Sequence, residues 1–313
     1  MAPSSSSPRF GAVVTAMVTP FDGAGELDVD GAVALARWLA DHGSDGLVVA
    51  GTTGEGPVLS DDEQRDLWKA VAEAVTVPVL AGTGTNDTRH TLRATAQAQQ
   101  AGVDGILLVT PYYNRPSQKA IAEHFRAVAA STSLPVMLYD VPVRTGRRID
   151  PGTIVDLARS VSNVVAVKDA TGDVAGAARL ARQAPAGFEI YCGDDALTLP
   201  FLSVGAVGVV SVAAHWAGGE MSEMLAAFAK GDVEGATAVN ARLIDSYDFE
   251  SSEWYPNPLP AKAACRALGL AVGQCRAPMG PAPAELDALA RSVLAQLGQT
   301  APAGLTGDGG PVA

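Results

Sequence analysis

Short apolar runs rich in valine, isoleucine and leucine recur along the chain at residues 12–18, 46–50, 77–81, 105–109, 135–139, 164–168, 188–192 and 207–211. Each is short for a buried helix, and most end at polar or glycine-containing sequence, as strands covered on both faces do. Between them the period changes. Stretches such as 29–42, 61–75 and 118–130 space their apolar residues three and four apart, which predicts amphipathic helices. Ser60 followed three residues later by Glu63 forms a capping box that opens the second of these helices. Strands alternating with helices imply parallel pairing through right-handed crossovers. Eight such units within about 230 residues fit a closed (β/α)8 TIM barrel, an α/β fold, better than an open sheet.

Beyond the eighth unit the strand signal stops. Residues 221–230 are expected to be the last barrel helix, and 236–247, 258–268 and 284–297 read as further helices with no strand between them. The expected organisation is a barrel over 10–232, a C-terminal helical region over 233–298, and disordered tails at 1–9 and 299–313.

In barrels of this kind chemistry gathers at the C-terminal ends of the strands. The second strand runs into Gly51, Thr52, Thr53, Gly54 and Glu55, and the fourth into Thr110, Pro111, Tyr112, Tyr113 and Asn114. The fifth ends at Tyr139, ahead of Asp140 and Arg144; the sixth ends at Lys168; the seventh runs into Gly193, Asp194 and Asp195; the eighth carries Val210 and Ser211. A lone lysine at the end of an apolar strand either snorkels to water or sits desolvated, and the desolvated amine is the nucleophile that forms a Schiff base with a ketone. The iminium then acts as an electron sink, so an enamine forms at the neighbouring carbon. Tyr139 at the next strand tip is placed to shuttle protons, with Thr52 and another tyrosine as its relay. The backbone amides of Thr52, Thr53 and Gly54 suit a carboxylate. These groups fall on one rim and point to a class I aldolase or an enamine-type condensing enzyme.

Composition narrows the choice of ligand. The chain has 313 residues, 48% of them hydrophobic and 18% charged, as in an ordinary globular protein. Its formal charge of −12, from 22 basic against 34 acidic residues, argues against nucleic acid and anionic membranes as partners. An anionic small molecule must therefore be held by a few placed donors. No stretch approaches the roughly 18 apolar residues of a membrane span, and the N-terminus lacks an apolar signal core, so the cytoplasm is the expected compartment. Cys192, Cys265 and Cys275 are too few and scattered for a disulfide framework. His42, His90, His124 and His215 lack metal-ligand spacing, so no metal is expected.

Together these motifs, in their order and spacing from about Phe10 to Leu297, resemble the dihydrodipicolinate synthase/N-acetylneuraminate lyase family. The resemblance implies a condensation of pyruvate with L-aspartate-4-semialdehyde and no cofactor. It implies Lys168 as the Schiff-base lysine, Tyr139 as proton donor and acceptor, and Thr52 and Tyr113 as a hydroxyl relay, Tyr113 being lent by a neighbouring subunit. Arg144 would meet the semialdehyde's carboxylate and Thr53 the pyruvate carboxylate, while the backbones of Gly193 and Val210 would line the pocket. A homotetramer built as a dimer of dimers is also implied. The chain departs from the common pattern in two places: Asp140 where asparagine is usual, and the pair Gly56 and Pro57 where a serine and a small residue are frequent.

Where relatives are inhibited by lysine, the resemblance places the effector near the second and third barrel loops. Asn86 and Tyr112 match that pattern, whereas Asp61 and Gln64 stand at histidine positions and His90 at an acidic one, which implies weak or absent inhibition. Competing readings keep the pyruvate enamine but change the acceptor to a sugar acid or another 2-oxo acid, or use Lys168 to hold pyridoxal phosphate, for which only Gly218 and Gly219 suggest a phosphate site. A catalytically inactive barrel with a binding role is the reading from another class.

Overall fold

The computed structural model describes residues 7–250 and 252–299. Its centre is a closed barrel of eight parallel strands in sequence order. They are β1 (Val13–Ala16), β2 (Gly46–Val49), β3 (Val79–Gly82), β4 (Gly105–Val109), β5 (Val136–Asp140), β6 (Val164–Asp169), β7 (Glu189–Cys192) and β8 (Gly208–Ser211). The ring closes where Val13 pairs with Val209 and Val14 with Val210. Each strand lies within one or two residues of its expected limits.

The strands are apolar throughout because both of their faces are covered. Val14, Val48, Leu80, Leu107, Met137, Ala166 and Val210 fill the interior, and Phe10 is packed among them. A Cβ on Gly105 would come within 2.8 Å of the Phe10 ring, so the strand passes this aromatic only as glycine. Alternate residues such as Val13, Leu47, Val79, Ile106 and Leu138 face outward into the layer beneath the helices.

That layer is built by α1 (Val29–Asp41), α2 (Asp61–Ala74), α3 (Thr88–Gln100), α4 (Gln118–Ala130), a one-turn α5 (Pro142–Thr145), α6 (Pro151–Ser160), α7 (Val174–Gln183), α8 (Thr198–Ser203) and α9 (Ala214–Ala229). The Ser60–Glu63 capping box is formed, with each side chain taking the other's backbone N–H. Three helices follow the barrel: α10 (Val233–Glu250), α11 (Leu259–Ala267) and α12 (Ala284–Gln296).

The last barrel helix begins at Ala214, seven residues ahead of the expected 221. The pair Gly218 and Gly219 reads as a helix stop. In the fold Gly218 instead lies against the His42 carbonyl, where a Cβ would sit 2.4 Å from the oxygen, and the helix continues through a kink at Ala217. His215, on the first turn of this helix, is fully buried. Its Nε2 accepts from the Val18 N–H at 3.0 Å, and its Nδ1 donates to the Val212 carbonyl at 2.8 Å. Burial pushes this imidazole down to about 4, so it is a neutral strut between the ends of β1 and β8.

Residues 1–6 and 300–313 of the expected disordered tails lie outside the described residues. Within the remainder, the Arg9 N–H donates to Glu189 at 2.8 Å and the Gln299 N–H to the Leu294 carbonyl at 2.9 Å. All three cysteines are free and buried, and burial raises the Cys265 and Cys275 thiols to about 12. No helix among the described residues is long and apolar enough to cross a membrane.

Candidate active site

The pairing register places Tyr139 beside Lys168 and Asp140 beside Asp169 at the ends of β5 and β6. Side chains alternate along a strand, so the first pair faces the barrel interior and the second faces outward toward the helices. Lys168 is buried, with its Nζ 4.4 Å from the centroid of the Tyr139 ring. Gly193, at the end of β7, gives the lysine its room. A Cβ there would stand 3.0 Å from Lys168 Cε and 2.8 Å from Ala170 Cβ. The Thr110 hydroxyl donates to the Tyr139 carbonyl at 3.1 Å and ties the end of β4 to β5.

A cavity of about 470 Å³ opens at this end of the barrel. Thr52, Tyr139 and Arg144 line it together. Lys168 is not on its wall and sits beneath Tyr139. Val210 is buried in the interior cluster that also holds Tyr139. The Thr53 hydroxyl is already engaged, accepting from Asn257 Nδ2 at 2.9 Å. Tyr113 is not brought in by its own chain. It is 90% exposed, and its φ of 71° holds it in the left-handed region beyond β4.

The C-terminal helical region reaches the loop after β2, which sequence reasoning missed. Besides the bond from Asn257 to Thr53, Lys262 Nζ lies 2.7 Å from Glu55 Oε1, with side-chain exposures of 0% and 3%. Lys262 also donates to the Gln274 carbonyl at 2.8 Å and sits 4.1 Å from the centre of the Phe21 ring. The Arg276 N–H donates to Glu55 Oε2 at 2.9 Å, and its guanidinium forms a fork with Glu63. Burial pulls the Lys262 ammonium below its ordinary value, with Glu55 opposing. A faint signal was present: Lys262 interrupts a run of alanines at 261, 263 and 264.

Behind Lys168 lies a second polar cluster. Asp195 Oδ2 accepts from the Val212 and Ala213 N–H groups at 2.7 and 3.0 Å, while its Oδ1 has no donor. The Glu250 carboxyl comes close to Asp195, and its own buried Oε2 has no hydrogen-bond partner either. Burial and a neighbouring carboxylate both favour a proton on Glu250. Burial first, then the Asp195 charge, pushes the Glu250 carboxyl well above its ordinary value, with Lys168 acting the other way.

The outward pair is also perturbed. Burial raises Asp140 to about 7, against the bond from the Ile149 N–H at 3.1 Å. Burial raises Asp169 too, against two bonds from Thr171 at 2.9 and 2.6 Å. Gly56, Pro57, Gln64, Asn86, His90 and Tyr112 line the same cavity as Tyr139. His90 Nε2 is 2.8 Å from Asp61 Oδ1, so the two exchanged residues pair with each other, and Gln64 donates to the Gly56 carbonyl at 3.0 Å. Among the described residues no group of three or more His, Cys, Asp or Glu is arranged to hold a metal ion.

The arrangement offers an amine nucleophile under a phenol, a threonine and a guanidinium across a cavity, and glycine-flanked amides beside them. The dihydrodipicolinate synthetase family model matches residues 9–297. A 4-hydroxy-tetrahydrodipicolinate synthase from Moorella thermoacetica is 50% identical over 273 residues, which cover 87% of this chain and 92% of that protein. A Bacillus subtilis protein of the same description is 46% identical over 277 residues, 87% of this chain and 94% of its own length. Among solved structures, a dihydrodipicolinate synthase from Bacillus anthracis superposes with a TM-score of 0.89 at 43% identity, covering 92% of this chain and 98% of that one. The enzyme from Cyanidioschyzon merolae with lysine bound gives 0.89 at 42% identity, again over 92% and 98%.

Proposed function

Because this chain belongs to the dihydrodipicolinate synthetase family, we propose that it carries out the 4-hydroxy-tetrahydrodipicolinate synthase reaction, condensing pyruvate with L-aspartate-4-semialdehyde. The observation that carries the reading is the buried Lys168 at the end of β6, its amine 4.4 Å from the Tyr139 ring.

Lys168 Nζ attacks C2 of pyruvate, the carbinolamine oxygen leaves as water, and an iminium forms. Loss of a C3 proton gives the enamine, whose C3 attacks the aldehyde carbon of the second substrate. The substrate's own amine then displaces Lys168 and closes the ring. The iminium is the electron sink, so the chemistry calls for no added cofactor. Tyr139 moves protons to and from the departing oxygen, with Thr52 across the same cavity. The loop of Thr52, Thr53 and Gly54 offers amides to the pyruvate carboxylate, and Arg144 serves the carboxylate of the semialdehyde. An exposed Tyr113 fits a role in a neighbouring subunit's relay, within a homotetramer made as a dimer of dimers.

Borohydride reduction in the presence of pyruvate is expected to add one pyruvate-derived mass to the Lys168 peptide. Lys168→Ala should abolish it while the variant still folds. A label on Lys262, the other buried lysine, overturns the mechanism. Arg144→Ala should raise the KM for the semialdehyde while sparing the adduct, and turnover is followed with a reductase that consumes the cyclic product.

A further inference from the structure

Asp140 immediately follows Tyr139, and its carboxyl takes no part in the steps above. It is nonetheless 2% exposed, in a protein where such burial is unusual for a charged group. Its Oδ1 accepts from the Ile149 N–H at 3.1 Å, a bond that spans nine residues. One carboxyl thus joins the two ends of the loop over 140–149. Arg144 stands in the middle of that loop, on α5, and lines the cavity. The loop is stiffened from within, where Thr145 donates its hydroxyl to the Arg147 carbonyl at 2.8 Å and its N–H to the Val141 carbonyl at 3.0 Å.

The second oxygen of Asp140 is less settled. Arg148 Nε lies 4.0 Å from Oδ2 and is a buried donor with no hydrogen-bond partner. The other end of this guanidinium donates to Asp173 at 3.1 Å, and Asp173 also lies 3.6 Å from Arg179. An ionised Asp140 attracts the free Nε and strengthens the bond from Ile149, whereas a protonated one does neither. The groups acting on Asp140 are Asp169 from β6, Arg148 from its own loop, Asp150 just beyond that loop, and Asp173 through Arg148. Asp169 takes two bonds from Thr171, and a charge on it disfavours a second one beside it on Asp140.

We propose that Asp140 is a positioning residue for Arg144, a carboxyl latch that closes the loop over 140–149 when ionised and slackens it when protonated. The proposal rests on the reading of Arg144 as the receptor for the acceptor substrate's carboxylate. Burial places the Asp140 transition at about 7, within the working range of a cell. The latch touches neither substrate, and it acts on the second substrate alone because Lys168 and Tyr139 face the other side of the strands.

Two measurements on the full chain test it, with Asp140→Asn as the variant, since an amide keeps an acceptor for Ile149 but cannot ionise. The first is hydrogen exchange of the peptide spanning 141–149, without substrate. The ratio of wild-type to variant protection should rise as pH passes through about 7. The second is steady-state kinetics with pyruvate and the semialdehyde. The wild-type KM for the semialdehyde should fall by roughly three- to tenfold between about pH 6 and pH 8 relative to the variant's, while kcat and the borohydride-trapped adduct keep a common profile. Substrate ionisation cancels in the comparison. Arg148→Gln should flatten the same KM profile. A protection ratio constant with pH overturns the latch, and so does a rising ratio with an unchanged KM profile. If the wild type makes the pyruvate adduct but never turns over the semialdehyde, the proposed function fails, and the exchange ratio still decides whether the latch exists.

Discussion

Lys262→Met tests how the C-terminal helical region holds the loop after β2. The ammonium is fully buried on α11, 2.7 Å from Glu55, and also donates to Gln274. Methionine matches the stem and removes only the charge, so no cavity forms. What remains is a carboxylate that keeps the Arg276 N–H at 2.9 Å but has lost its buried counter-ion. Removing one partner of such a pair costs about 3–5 kcal/mol. A chain of this size unfolds with an entropy of about 0.6 kcal/mol/K, so melting should fall by roughly 5–8 °C. Adding Glu55→Gln removes the stranded charge and should restore at least about half of the loss, a coupling read directly from the double-mutant cycle. Adduct formation with pyruvate should slow in the single variant, because Thr53 and Gly54 precede the residue that lost its anchor. Scanning calorimetry and urea titration of the four proteins decide the matter. Lys262→Met within about 1 kcal/mol of wild type, or a double variant no more stable than the single, refutes the reasoning.

Gly193→Ala should slow borohydride-trapped adduct formation by about tenfold or more and lower melting as well, because the new Cβ would press on Lys168 Cε, 3.0 Å away, and on Ala170 Cβ, 2.8 Å away. Glu250 has a raised folded value, so its stabilising proton is fully present below about 4.5 and lost as pH climbs through the folded value. Glu250→Gln cannot lose that proton, and its melting temperature relative to wild type should rise steadily with pH above about 4.5; a constant difference contradicts a proton held on Glu250. L-lysine should give half-inhibition only above about 1 mM at subsaturating pyruvate, because Asp61 is held by His90 rather than free for an ammonium. Inhibition at lower concentration shows that the exchanged pair still binds the effector.

The barrel was legible because its strands are apolar on both faces and its helices on one, a local pattern each element carries by itself. Lys168, Tyr139, Thr52 and Arg144 were legible for a related reason, since strand ends are readable and the fold sends them all to one rim. Bonds made far along the chain were not. Nothing around Thr53 announces that Asn257, 204 residues later, occupies its hydroxyl. The Asp195–Glu250 contact was equally hidden, because α10 carries several acidic residues and only packing shows which one turns inward. Lys168 was named as the one lysine at a strand end, yet Lys262 is buried as deeply, and its lone place among alanines was the only trace of that.

The alternation at the ends of β5 and β6 limits what small genetic lesions can do there. Reading inward to outward, the strands present tyrosine then aspartate, and lysine then aspartate. A one-codon deletion anywhere in the body of β6 would swap the faces of all later residues and aim the carboxylate of Asp169 into the mouth in place of the amine. The product would still close a barrel of sorts, but it would present an acid where the lysine amine stood. A two-codon deletion would restore the facing and shorten the strand instead. Viable length changes in these strands should therefore come in pairs, while single-residue changes should be confined to the loops.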